Sequence, residues 1–215
     1  MVGLEDRIEG TSPDLVAKLE AGEVPAGLDP RDAVAAIAHA ALGDGQSGGP
    51  GLVQGPTRSP RLVKSLTYES LSGLFPGSDR PEKLALAAGL LQMLDAWEAS
   101  HAAAQEADDL GEKSTAAYWH LIAHRREPDA GNALYWTRRV GRHPIHRALA
   151  ERAGPILGDH AARLAPGGVW SPSAMIDLAT RARPGTPDEA LARRLQALEM
   201  VLLLEASLAG VDPRV

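Results

Sequence analysis

Residues 81–108, PEKLALAAGLLQMLDAWEASHAAAQEAD, decide the fold class. Proline stands at the first position of the run, where its missing N–H costs a helix nothing. Ala and Leu, the strongest helix formers, fill the interior. The stretch is apolar early, through Leu84, Leu86, Leu90, Leu91 and Leu94, and more polar late. It reads as one long helix that Gly111 terminates. The same grammar extends in both directions. Ser12-Pro13, Asp29-Pro30, Ser59-Pro60, Ser171-Pro172 and Pro187-Asp188 are helix starts, each pairing a capping side chain or an acidic first turn with a first-turn proline. Further helices are expected at about 113–127, at 130–140 after an Asp129 cap, and at 144–157 with a break near Gly154-Pro155. The helix opened by Ser59-Pro60 is expected to run on to Pro76-Gly77. Residues 43–57 hold six Gly and two Pro and read as a loop. No period-two alternation suggests a strand. The expected class is all-α: one bundle-like domain with long helices near 81–108 and 187–209. Residues 1–80 form an N-terminal helical and loop extension packed on a core of 81–215.

Composition narrows the function. The chain has 215 residues, no Cys, eight aromatics and a formal charge of −6. Without Cys there is no disulfide framework, zinc ribbon or thiol nucleophile. A net negative charge argues against nucleic-acid binding through overall charge. Residues 1–9 are polar and lack the apolar core of a secretory signal. The longest uncharged apolar stretch, Leu84 to Leu94, is 11 residues, where a bilayer span needs about 20. No membrane partnership and a cytoplasmic location are the expectations.

The chemistry concentrates in one region. Five of the seven histidines, namely His101, His120, His124, His143 and His146, fall between residues 101 and 146. Tyr118, Trp119, Tyr135 and Trp136 lie there too, and residues 118–147 carry six Arg against Glu127 and Asp129. His120 and His124 are four apart on one helix, so their imidazoles share a face. His101, on the preceding helix, is the natural third ligand for a divalent metal, zinc or iron. Leu121 after His120 excludes the zincin pattern. Glu98-x-x-His101 matches half of a di-iron site, and no second Glu-x-x-His exists.

Asn132, Trp136, Arg139 and His143 are spaced 4, 3 and 4 and form a second stripe. Adjacent Arg residues point about 100° apart. Arg139 and Arg125 are therefore the expected inward members of their pairs, with Glu127, Asp129 or Glu199 as the partner carboxylate. Glu199, near Gln196 on the last helix, needs an Arg or His from the 120–143 region if it faces inward. His39 reads as a packed core histidine, and His146 and His160 as surface positions.

The run Ser100-His101…Gln105, Tyr118-Trp119-His120-x3-His124-Arg125-Arg126-Glu127-Pro128-Asp129, Asn132-Ala133-x-Tyr135-Trp136-x-Arg138-Arg139-Val140-Gly141-x-His143-Pro144 resembles an uncharacterised family of helical proteins in bacteria and fungi. The likeness extends weakly through Trp170-Ser-Pro172 and Gln196-x-x-Glu199, covering roughly residues 84–205. It implies a shared polar site and names no reaction.

Three functions compete. The first is a metal-assisted hydrolase or lyase acting on a small anionic molecule. His101, His120 and His124 hold the metal, and Glu127 or Glu199 takes the proton. Arg125, Asn132, Arg139 and His143 hold the anion, and Trp119, Tyr135 and Trp136 wall the pocket. The second is a metal-free small-molecule binding or sensor protein using the same residues. The third is a buried polar network that only fixes helix register. The first two share the expectation of a single concavity.

Overall fold

Capping side chains and first-turn prolines open the helices where the sequence places them. Ser12, Asp29, Ser171 and Thr186 each accept a hydrogen bond from a first-turn backbone N–H. A computed structural model describes residues 3–43 and 49–212. Among the described residues it contains α-helices, two short 3₁₀ turns and no strand. In chain order the helices are α1 Leu4–Glu9, α2 Pro13–Glu20, α3 Pro30–Leu42, α4 Pro60–Ser65, α5 Tyr68–Leu74, α6 Arg80–Met93, α7 Trp97–Asp109, α8 Thr115–Arg126, α9 Ala130–Val140, α10 Ile145–Leu157, α11 Ala161–Leu164, α12 Pro172–Arg181 and α13 Pro187–Val211. The all-α class is shown. The expected 43–57 loop is non-helical over 49–57, and its residues 44–48 lie outside the described residues.

Three helix boundaries differ from expectation. The run 81–108 is two helices, α6 and α7, hinged at 94–96. Asp95 adopts a left-handed φ of 59° there, a conformation that Asp tolerates better than most residues. The turn points its buried carboxylate at Arg126, Arg58 and the Gly55 N–H. No Gly or Pro marks the position, because the cause is a distant arginine. The helix expected from Ser59 onward divides at Leu66-Thr67, where Thr67 and Ser70 form a capping box that starts α5. Pro155, expected to break α10, lies inside it.

α8 sits at the centre. From Ala116 to Arg126 every residue is buried, although half of them are polar or aromatic. A 100° step per residue sorts its large side chains into three directions. Tyr118 and Arg125 face α13, where Glu199 accepts from the tyrosine. Trp119 and Arg126 face α6 and the 94–96 hinge. His120 and His124 face α7 and α9. Apolar packing fills the remainder: Leu86 and Leu90 of α6 and Leu195, Leu203 and Leu204 of α13 belong to one buried cluster. Leu4, Val34 and Leu71 from the N-terminal helices belong to the same cluster.

Trp119 is fully buried and anchored, its Nε1–H donating to Ser207 Oγ at 3.0 Å. Its indole lies over Gly89, where an added Cβ would stand 2.5 Å from Cζ2 and 2.6 Å from Cε2. Gly89→Ala therefore sets a helix-propensity gain of about 1 kcal/mol against overpacking of about 1–3 kcal/mol. With the indole held by Ser207, the clash wins. The variant should unfold at lower urea than the parent chain; an unchanged or higher midpoint would show that Trp119 shifts freely.

Candidate metal centre

The short 110–114 connection folds α8 back on α7 and brings His101 against the His120/His124 face. His101 Nε2 and His120 Nε2 are 2.8 Å apart. The His101 and His124 rings lie 5.2 Å apart edge-on, and the His120 and His124 rings stack at 5.0 Å. One ring nitrogen from each histidine lies within 4.8 Å of those of the other two. Two tryptophans brace the group. Trp97, one turn before His101, stacks on it at 4.8 Å and donates from Nε1 to the Ala123 carbonyl. Trp136 of α9 stacks on His120 at 3.8 Å. His120 and His124 are buried, while His101 is half-buried and forms the open side.

Burial disfavours the charged form of two of the three rings. Burial is the main cause that lowers the His120 pKa to about 3, with the neighbouring His101 and His124 adding to it. Burial and then His124 also lower His101. Neutral imidazole is the form that ligates metals. Glu127 Oε2 stands 2.8 Å from His124 Nδ1, and Asn132 Nδ2 stands 3.2 Å from His124 Nε2. His120 Nδ1 is buried without a hydrogen-bond partner.

The remaining expected site residues divide between this centre and other places. Trp136 and Asn132 adjoin the trio. Arg139 is at its rim, 38 % exposed, over the Trp136 ring at 5.0 Å. Its carboxylate is Asp108, at 2.9 Å, and not Glu127, Asp129 or Glu199; Lys113 shares that carboxylate. Tyr135 is exposed, edge-on to Trp136. Trp119 is no pocket wall, since it packs on α6 and bonds Ser207 on a different side of α8.

Arg125, Glu199 and His143 form a second, separate cluster, so the expected single concavity is replaced by two groupings. Tyr118 and His120 are about 200° apart around the helix, which is why one helix feeds both. Arg125 Nη1 and Glu199 Oε2 are 2.6 Å apart with both side chains fully buried. That contact is Coulombic, without hydrogen-bond alignment. Tyr118 Oη and Trp170 Nε1 both donate to Glu199 Oε1, at 2.7 and 3.0 Å. Glu199, so enclosed, is no base for the histidine trio. Arg126, expected to turn toward solvent or a neighbouring helix if Arg125 turned in, is equally buried and pairs with Asp95 at the 94–96 hinge.

His143 packs edge-on against Tyr118 at 5.1 Å, beside His146. His146 is buried, which corrects the surface reading: its Nδ1 accepts from the His143 N–H, and its carbonyl accepts from the Trp170 N–H. Gly141, at φ 57°, ends α9 and lets the chain turn His143 inward. His39 is a packed histidine whose Nδ1–H donates to the Ile8 carbonyl oxygen at 3.0 Å.

Trp97 and Asp108 were missing from the sequence reading of the site. Both carried a signal: they stand at i−4 and i+7 from His101, on its face of α7. Asp95 and Trp170 had none, because their partners are distant in the chain. A cavity of about 600 Å³ between α1, α3, α10 and α13, lined in part by Ile8, His39 and Arg194, shares no residue with the trio.

Two outcomes follow from the enclosed cluster. Removing one partner of a fully buried pair costs about 3–5 kcal/mol. Arg125→Met should therefore destabilise strongly in urea titration, and Arg125→Met with Glu199→Gln, whose amide oxygen still accepts from Tyr118 and Trp170 as the carboxylate does, should recover much of the loss; equal losses would show that the pair itself carries the stability. The second concerns pH. Burial and then His146 lower the His143 pKa to about 4, and burial lowers His146 despite Glu199. The unfolded chain takes up those protons near pH 6.5, while the folded chain refuses them. Stability is thus full above about pH 6.5 and falls towards pH 4. His143→Asn, whose Oδ1 can still accept from the Ile145 N–H as Nδ1 does, should flatten that fall; an unchanged pH profile would remove His143 as a cause.

Among the described residues no helix is long and apolar enough to cross a membrane. Compared with protein-family models, curated proteins and solved structures, the chain finds no match.

Proposed function

We propose that His101, His120 and His124 hold one divalent transition metal, and that the protein uses it in a metal-assisted hydrolysis or lyase reaction on a small anionic substrate. The convergence of three imidazoles within 4.8 Å, with burial lowering the pKa of His101 and His120, carries this reading. Three imidazoles without a carboxylate suit zinc, iron, nickel or copper over magnesium or calcium. The stacked tryptophans fix the ring planes, so little side-chain freedom is lost when a metal binds. A three-histidine site leaves a position for water, whose pKa a bound metal lowers towards neutrality. The open side of the trio lies at His101. Arg139 over Trp136 supplies the cation for the substrate's anionic group, and Asp108 fixes the guanidinium without consuming all its donors. With Glu199 sealed away, no buried carboxylate base is assigned to the reaction.

The likeness to helical bacterial and fungal proteins sits easily with this reading, because most residues of the shared motif belong to α7, α8 and α9. The opposing view, that the trio only fixes helix register, draws on the direct His101–His120 contact. Cobalt titration of tag-free protein decides between them. Saturable binding of one ion per chain is expected, with the absorption of imidazole-ligated cobalt, and it should be lost in His120→Ala and His124→Ala. No saturable binding by the parent chain would leave the trio as a structural hydrogen-bonded group. Loaded with zinc, the protein should turn over an aryl phosphate or carboxylate ester, with Arg139→Ala raising KM more than it lowers kcat.

A further inference from the structure

The carboxylate of Glu127 looks, from sequence, like the base of the reaction. Its surroundings assign it another task. Glu127 caps the C-terminus of α8, its N–H bonded to Ala123 O at 2.9 Å. The chain then turns through Pro128, and the Asp129 N–H returns to His124 O at 2.9 Å. That tight return keeps the Glu127 carboxylate beside the ring one turn back, with Oε2 2.8 Å from His124 Nδ1. A carboxylate only accepts, so Nδ1 carries the proton. In neutral His124 this leaves Nε2 as the nitrogen with a lone pair to give. The Asn132 side-chain amide nitrogen lies beside the ring, 3.2 Å from Nε2 and 3.4 Å from Nδ1.

We infer that Glu127 is a positioning residue, which fixes His124 in the Nδ1–H tautomer and so presents Nε2 as a ligand to a transition metal. The inference rests on the proposed metal site. The charged acceptor also makes the imidazole a better electron donor, as carboxylate partners of metal-bound histidines do. Asp129 is committed elsewhere: its Oδ1 caps α9 by accepting from the Asn132 N–H at 2.9 Å.

Two measurements on the full chain test this. The first needs no metal. Nitrogen-15 NMR of the histidine rings should report His124 as the Nδ1–H tautomer in the parent chain and in Glu127→Gln, whose amide oxygen still accepts. It should report a shift towards Nε2–H in Glu127→Ala. The second is cobalt affinity. Glu127→Ala should bind 10–100-fold more weakly, and Glu127→Gln should fall between it and the parent. The bound-cobalt spectrum should be the same in all three. Glu98→Ala, an exposed glutamate on α7, is the control and should leave affinity unchanged. Parent-like cobalt affinity and tautomer in Glu127→Ala would overturn the inference while sparing the metal site. Equal losses in the Ala and Gln variants with an altered cobalt spectrum would also overturn it, by making Glu127 a direct ligand. Failure of the parent chain to bind cobalt would remove the metal reading and this inference together. Circular dichroism confirms that each variant is folded, and Glu127 is exposed enough that Glu127→Gln should leave the helices intact.

Discussion

The whole molecule depends on α8 being buried on every side while carrying charged and polar side chains. A buried charge without a partner costs several kcal/mol, so each polar residue on this helix dictates what must lie opposite it. Arg125 requires Glu199 on α13, and Arg126 requires Asp95 at the 94–96 hinge. Consecutive residues about 100° apart thus tie α8 to two different walls of the bundle. With those two directions fixed, the rotation of the helix is set. The third face, with His120 and His124, has only α7 and α9 to meet.

That constraint explains why the two polar groupings differ in character. The Arg125–Glu199–Tyr118–Trp170 group is enclosed, and its hydrogen bonds converge on one carboxylate. It has donors aimed inward and no open side, so it serves register and stability. The histidine trio is the reverse. Its members are braced by aromatic stacking and open at His101. Burial lowers the pKa of His120 and of His101. The three rings form a group that could hold a metal ion.

Position along the chain separates what could be read early from what could not. The His120/His124 pair and the choice of His101 as third member follow from helical spacing and a short connection, and the structure brings those residues together. For Glu199 the sequence left the inward and the solvent-facing orientation open and said only that an inward carboxylate needs an Arg or His; the structure turns it inward onto Arg125. The failures share one cause. Grouping His143 with Asn132 and Trp136 assumed that α9 continues its stripe, and Gly141 ends the helix first. Trp119 looked equivalent to Trp136, yet one step along α8 points it at Gly89 and Ser207. His146 looked exposed because its neighbours Arg147 and Pro144 are, while the Trp170 N–H and Tyr118 ring that cover it come from elsewhere.

By itself the sequence determined the local structure: helix class, most starts and stops, and the faces on which His101, His120 and His124 lie, because capping, proline placement and 3.6-residue periodicity act over a few residues. Only the tertiary structure decided the break at Asp95, the enclosure of Glu199 with Arg125, the pairing of Arg139 with Asp108 and the attachment of Glu127 to His124. Each of those depends on which partner reaches a charge or an imidazole first, and a pairing between groups distant in the chain, or turned back on it by a cap, leaves no mark in the residues on either side.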